Sequence, residues 1–214
     1  MGSLKLPHPT GGNSMSIAAP AANPSDDITL KVPSTTGSAG EVLKVATANH
    51  SSTNAELEFA KVAFQSYACI ADRKAADAEG GSSSAATWMT RDLNTELFDP
   101  DGIVSISSNQ FTLAAGTYFI DWTCPIYKGN RGLSILYDIT GSAELAQSTS
   151  PRSNYATSSG VDQRGFARIS PTGSNVYEIR QKVEAAKASY GLGRPGLYGA
   201  YSIYTQVLIY KEVS

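Results

Sequence analysis

The sequence predicts an all-β protein: a jelly-roll sandwich over residues 63–214, preceded by an extended, strand-poor segment over residues 1–62. Three observations carry this expectation. Short segments of apolar–polar alternation recur every ~8–12 residues through the second part of the chain, with turn residues between them. Charged residues make up only 17% of the 214, and 19 Gly and 11 Tyr help to fill the deficit, the composition of a turn-rich β protein. The one helix-like patch, residues 183–188, is rich in Ala but too short to stand as an isolated helix, and is expected as strand end and loop.

The N-terminal segment mixes Pro7, Pro9, Pro20, Pro24 and Pro33 with Gly11, Gly12, Gly37 and Gly40. Its strand candidates are residues 14–18, 28–32, 41–46 and 57–60, each too short to bury a core alone. Identical copies of the segment, or a larger particle, would have to supply the missing burial. In the head, Phe111 and Leu113 are followed by the break Ala114-Ala115-Gly116, which lets the chain turn and return its next aromatic to the same core. Over residues 116–127, Tyr118, Ile120, Trp122, Cys124 and Ile126 share one face, against Asp121 and Thr123 on the other. Leu133, Ile135 and Tyr137 are expected to repeat that buried face, followed by the turn residues Thr140 and Gly141 and a strand at 144–148. Strands at 163–170 and 176–183 flank the turn Pro171-Thr172-Gly173-Ser174. The last strand, 201–213, lines up Ile203, Thr205, Val207 and Ile209.

A formal net charge of −2, with six basic against eight acidic residues up to Thr90 and eleven against eleven after it, argues against nucleic acid as a partner, because phosphate binding needs a basic stripe. The longest apolar stretches fall far short of the ~20 residues of a membrane helix, so no membrane span is expected. Met1 to Met15 carries Lys5, Pro7, Pro9 and Gly11 without the apolar run of a secretory signal.

Catalysis finds little support. His8 sits in a Pro-flanked run and His50 in a Ser-rich loop, and neither stands near a nucleophile with an orienting acid. No hydrolase elbow, phosphate loop or zinc-protease motif is present, and no metal or cofactor is expected. Asp99-Pro100-Asp101-Gly102 reads as a turn rather than a calcium site, since calcium normally takes six to eight oxygen ligands. Cys124 alternates with core residues and reads as one of them, while pairing with Cys69 is left open. Arg91 and Asp92 are expected to form a salt link that fixes register. Trp88 and Trp122 are expected as core or interface anchors rather than sugar platforms.

Several motifs together carry a resemblance: Asp72-Arg73-Lys74-Ala75, Gly80-Gly81, Trp88, Thr90-Arg91-Asp92-Leu93-Asn94-Thr95-Glu96, Phe111-Thr112-Leu113 and Ala115-Gly116-Thr117-Tyr118. Over residues 63–213 the chain resembles the head domain of bacteriophage fibres, those of cyanophage and marine-phage virions above all. That head is similar in fold to the trimeric jelly roll of the complement globular head and tumour-necrosis-factor family. The leading run Ile28-Thr29-Leu30-Lys31-Val32-Pro33, with Gly37-Ser38-Ala39-Gly40-Glu41-Val42-Leu43, resembles the leading segment of short phage fibre and decoration proteins. The resemblance implies a homotrimer on the virion surface, joined to other virion proteins of capsid or tail through residues 1–62. A main tail fibre carries a long shaft that 214 residues cannot hold, so a short appendage is implied.

Tyr190, Tyr198, Tyr201, Tyr204 and Tyr210 are interleaved with Gly191, Gly193, Gly196, Gly199 and Arg194. That composition suits adaptable binding loops and a Tyr-rich trimer interface alike. The candidate ligand-binding residues lie on three loops: Lys128, Asn130 and Arg131 on 127–132, Arg152, Asn154 and Tyr155 on 151–160, and Arg194 and Tyr198 on 190–198. Each loop pairs an aromatic ring with a cation, which suits stacking on sugar faces and bonding to hydroxyls or acidic groups, with a host-surface glycan as the candidate ligand. Two function classes follow: a structural and adhesive virion protein, or a non-viral, lectin-like extracellular binding module of the same fold.

Overall fold

The structure, a computed structural model, describes residues 3–6, 15–18, 29–38, 41–46, 51, 54–61, 64–154 and 156–212. The chain forms two compact units, residues 1–61 and 62–214. In the first, β1 (Ser3–Leu6) and β2 (Met15–Ala18) make an antiparallel ribbon. A separate sheet holds β3 (Thr29–Lys31), β4 (Glu41–Val45) and β5 (Asn54–Lys61), with β5 central, parallel to β3 and antiparallel to β4. Leu30, Val32, Val42, Leu43 and Val45 are all exposed, as expected of strands too few to enclose a core.

The second unit holds eleven strands among its described residues: β6 (Phe64–Ala75), β7 (Met89–Thr90), β8 (Thr95–Phe98), β9 (Val104–Ser107), β10 (Gln110–Leu113), β11 (Tyr118–Tyr127), β12 (Gly132–Asp138), β13 (Ala143–Gln147), β14 (Gly160–Ile169), β15 (Asn175–Val183) and β16 (Tyr201–Glu212). One sheet runs β14-β11-β16-β6-β8 and the other β13-β12-β15-β10-β9, with β7 paired to the far part of β15. The antiparallel pairs β12·β13, β11·β14, β10·β15 and β6·β16 enclose one another in sequence like the rungs of one long hairpin. Alternate rungs fall in opposite sheets, and β11·β16 and β12·β15 join the rungs within each sheet. That winding is the jelly roll.

The alternation expected over Tyr118, Ile120, Trp122, Cys124 and Ile126 is present, with all five fully buried. The first four meet Phe111 and Leu113 of β10, Tyr177 and Ile179 of β15, and Ala68, Ile70, Val207 and Ile209 in one core. Strand β14 contributes Gly165 beneath the Trp122 ring, where a Cβ would stand 2.1 Å from Cζ2. Cys69 and Cys124 are both buried and both free, and burial pushes each thiol up from its ordinary value.

Two expectations are corrected. On β12 the face turned to Trp122 holds Ser134 and Leu136 rather than Leu133, Ile135 and Tyr137, of which only Ile135 is buried, on the other face of the strand. Ser134 accepts the Trp122 indole N–H at 2.9 Å, so the small polar residue sits where a large ring needs both space and an acceptor. Tyr137 instead lies under the Arg180 guanidinium, 3.4 Å from its ring centroid. Nor does Arg91 pair with Asp92. Neighbouring residues of an extended chain point to opposite sides, so Asp92 reaches Lys74 at 2.7 Å while Arg91 enters the sandwich. Asp99 forms the expected turn: its two carboxylate oxygens accept the backbone N–H groups of Ile103 and Val104, each at 2.9 Å. No helix of the described residues is long and apolar enough to cross a membrane.

Candidate binding tip

The strands deliver three loops to one end of the sandwich: 128–131 after β11, 148–159 after β13, and 184–200 after β15. Their backbones are bonded to one another. Lys128 N donates to Ser159 O at 3.1 Å, Ser153 N to Asn130 O at 2.8 Å, Ala185 N to Gly129 O at 3.0 Å and Tyr127 N to Gly191 O at 3.1 Å. The segment after β6 joins them, with Gly80 N donating to Gly193 O at 2.9 Å and Gly81 N to Ser189 O at 2.9 Å. Phe64, where the chain enters the sandwich, pairs with Glu212 at the opposite end.

The tip rests on a polar interior. Arg91 is fully buried and donates to Thr205 Oγ1 at 2.7 Å, Gln181 Oε1 at 3.1 Å and Leu192 O at 2.9 Å. One side chain thus ties β16, β15 and the third loop together. Burial among these neutral acceptors lowers its hold on the proton. Gln181 continues the network to Gln163 Oε1 at 2.9 Å and Pro125 O at 3.1 Å. Gly193 has φ +135°, and a Cβ there would lie 2.2 Å from the Tyr204 ring, so only glycine carries the loop over that ring without strain.

On this base Tyr127 and Tyr190 stand edge to face, ring centroids 5.4 Å apart. The Arg194 guanidinium lies 5.5 Å from each ring centroid and donates to the Tyr127 hydroxyl at 3.0 Å. Lys128 Nζ lies 6.0 Å from the Tyr127 centroid and Lys187 Nζ 5.0 Å from that of Tyr190. Hydrogen bonds to Ser158 and Arg194 hold the Tyr127 phenol below its usual range, and the Tyr127 bond raises Arg194. Two clefts flank Arg194. One of about 330 Å³ is walled by Pro125, Tyr127, Val161, Asp162 and Pro195, and the other of about 220 Å³ by Asp77, Leu197, Tyr198 and Tyr204.

Lys128, Asn130, Arg131, Arg152, Asn154, Arg194 and Tyr198 therefore all lie on loops of this end, and Tyr155 lies outside the described residues. Arg194 and Tyr198 share the smaller cleft, and Lys128 joins Arg194 at Tyr127. Arg131 and Arg152 form a backbone bridge, with the Arg131 side chain 3.8 Å from Glu184. Asn154 accepts the Ala156 N–H at 2.9 Å, a local turn bond. Sequence reasoning missed Lys187 and Asp162, and marked Tyr127 only as a loop end and Tyr190 as one of the Tyr residues of the Gly-rich third loop; for Tyr127 the signal was the end of alternation at Ile126-Tyr127, where both residues are buried. Trp122 is a core anchor, but Trp88 is 38% exposed with Lys182 Nζ 5.5 Å from its ring.

No family model matches the chain, and no curated protein matches it in sequence. Among solved structures it is similar to murine APRIL, with 6% identity, 68% of this chain and 98% of that one covered, and a TM-score of 0.48. The PRD1 vertex protein P5 is similar at 14% identity, 71% and 100% coverage and TM-score 0.48. The globular domain of a zebrafish complement 1qA protein is similar at 14% identity, 68% and 95% coverage and TM-score 0.44.

Proposed function

We propose that this chain is a virion structural protein: a short homotrimeric surface appendage, fibre or capsid decoration, anchored through residues 1–62 and presenting the jelly-roll tip to the host surface. The observation that carries the reading is the outer face of the β14-β11-β16-β6-β8 sheet. Two adjacent register rows cross it, Phe166–Asp121–Leu208–Cys69–Phe98 and Arg168–Phe119–Tyr210–Tyr67. Phe166 is 66%, Tyr67 53% and Phe98 42% exposed. Ring centroids stand 6.3 Å apart for Phe119–Phe166, 6.4 Å for Phe119–Tyr210 and 5.6 Å for Tyr67–Phe98.

The solvent face of an antiparallel sheet is ordinarily polar, and aromatic residues concentrate where surfaces associate. The flanking charges are paired within the chain, Arg164 with Asp121 and Arg168 with Glu212, so an identical copy meets little unbalanced charge. Closed association of copies buries this face in each, and the resemblance of the Arg-Asp-Leu-Asn and Ala-Gly-Thr-Tyr motifs to phage fibre heads, which are trimers, supports three copies. The exposed Leu30, Val32, Val42, Leu43 and Val45 suit the anchor to contacts with other copies or other virion proteins. The tip, with cations set on tyrosine rings, suits a surface glycan.

Deleting residues 1–62 tests the anchor: the remaining head is expected to fold, stay soluble and fail to join the particle. Normal incorporation of the truncated head would overturn the assignment.

A further inference from the structure

We propose that the cleft between Tyr127, Asp162 and Arg194 binds a carboxylate-bearing pyranose, an acidic sugar unit of a polysaccharide. The inference rests on the tip-contact reading above and names its ligand. Its volume of about 330 Å³ lies within the range of about 300–1,000 Å³ usual for small-molecule sites. Three features of the wall each match a different part of such a sugar.

The first is positive charge at the cleft and behind it. Arg194 lines the cleft, while Lys128 at Tyr127 and Lys187 at Tyr190 stand 5.0–6.0 Å from a ring centroid of the same tyrosine pair, outside the cleft wall. Cation–π attraction holds each in place, but mutual repulsion remains. Among the described residues no carboxylate lies within 4 Å of Arg194 or Lys128, and Glu79 acts on Arg194 only at longer range. One Arg194 amino group is engaged by the Tyr127 hydroxyl, which fixes the plane of the guanidinium and leaves its other donors for a flat carboxylate.

The second feature is Asp162, exposed on β14 and paired in register with Pro125 across the cleft floor. An acid in the same cleft as the Arg194 cation disfavours a doubly charged phosphate or a fully sulfated unit. It suits a ligand that carries one negative charge together with hydroxyl groups, whose hydrogens Asp162 accepts. The third is apolar surface: Pro125, Val161 and Pro195 offer contact for the C–H face of a ring. Asp162 lies four residues along β14 from Phe166 on the same outer face, about 13 Å at strand rise, so the cleft stands beyond the aromatic rows toward the tip.

Calorimetric titration of the full chain with an oligogalacturonate and with a neutral gluco-oligosaccharide of equal length tests the assignment. The oligouronate is expected to bind, to weaken as salt is raised from about 50 to about 500 mM, and to lose about tenfold or more in affinity in Arg194→Ala. Lys128→Ala is expected to weaken it less. Arg194 is exposed and Lys128 only half-buried, so Arg194→Ala is expected to melt like the parent, and the melting curve of each variant separates binding from folding. Equal binding of the neutral oligomer, or unchanged affinity in Arg194→Ala, would overturn the proposal. Host-cell binding that excess oligouronate fails to compete would also overturn it while leaving tip adhesion standing. Oligouronate binding by a head that no cell retains would uphold the site and strike adhesion instead.

Discussion

Arg91 shows how a single residue sets the tip. Its three hydrogen bonds reach β15, β16 and the 184–200 loop, and removing it leaves buried acceptors without partners. Arg91→Ala is expected to cost about 3 kcal/mol in urea unfolding, with Arg91→Lys recovering little, since an ammonium cannot span the same fork; an unchanged midpoint would contradict this role. The residue was legible in the sequence as part of an Arg-Asp pair, but its partners were not, because they lie 90 to 114 positions away. Tyr177 provides a pH signature. Burial raises its phenol from 10.0 to about 12, so the folded state holds the proton more tightly than the unfolded state. Its contribution is complete below pH ~10 and is lost as pH rises through about 12, at ~1.4 kcal/mol per unit. Tyr177→Phe should flatten that alkaline decline in denaturant midpoints, and an equally steep decline in the variant would contradict the assignment.

Strands were the most legible elements, and β11 the clearest of them, because a long strand buried on one side repeats its period five times. Strand β12 misled because Leu133, Ile135 and Tyr137 lie on the face away from Trp122, where only Ile135 is buried, while Ser134 faces in to receive Trp122. An alternation pattern shows that a strand has two faces; here the opposite strand's Trp decided which was inward. The sequence also offered no sign of β1, which rests on its pairing with β2. Packing at the element scale is tested at Gly165, where strand β14 passes beneath Trp122. Gly165→Ala is expected to destabilise by about 1–3 kcal/mol through overpacking, read by thermal or urea unfolding. A neutral effect would mean that the Trp122 ring has room to move.

At the scale of the whole molecule, the jelly roll separates two surfaces with different chemistry. The aromatic rows cover one sheet face, and the cation–tyrosine cluster occupies the end reached by the loops after β11, β13 and β15. Loop composition made Arg194, Lys128 and Tyr198 legible as candidates, while Asp162 became visible only through the pairing of β14 with β11 and Lys187 only through its contact with the Tyr190 ring. The aromatic face was hidden for the same reason: Tyr67, Phe98, Phe119, Phe166 and Tyr210 are far apart in sequence and align only through register across five strands. Self-association through that face is the central claim. Sedimentation equilibrium of the full chain at micromolar concentration tests it most directly, alongside the Tyr67→Glu, Phe166→Glu double variant. The account predicts three chain masses for the parent and a folded species of one chain mass for the variant; a parent that sediments as a single chain, or a variant that remains trimeric, would contradict it.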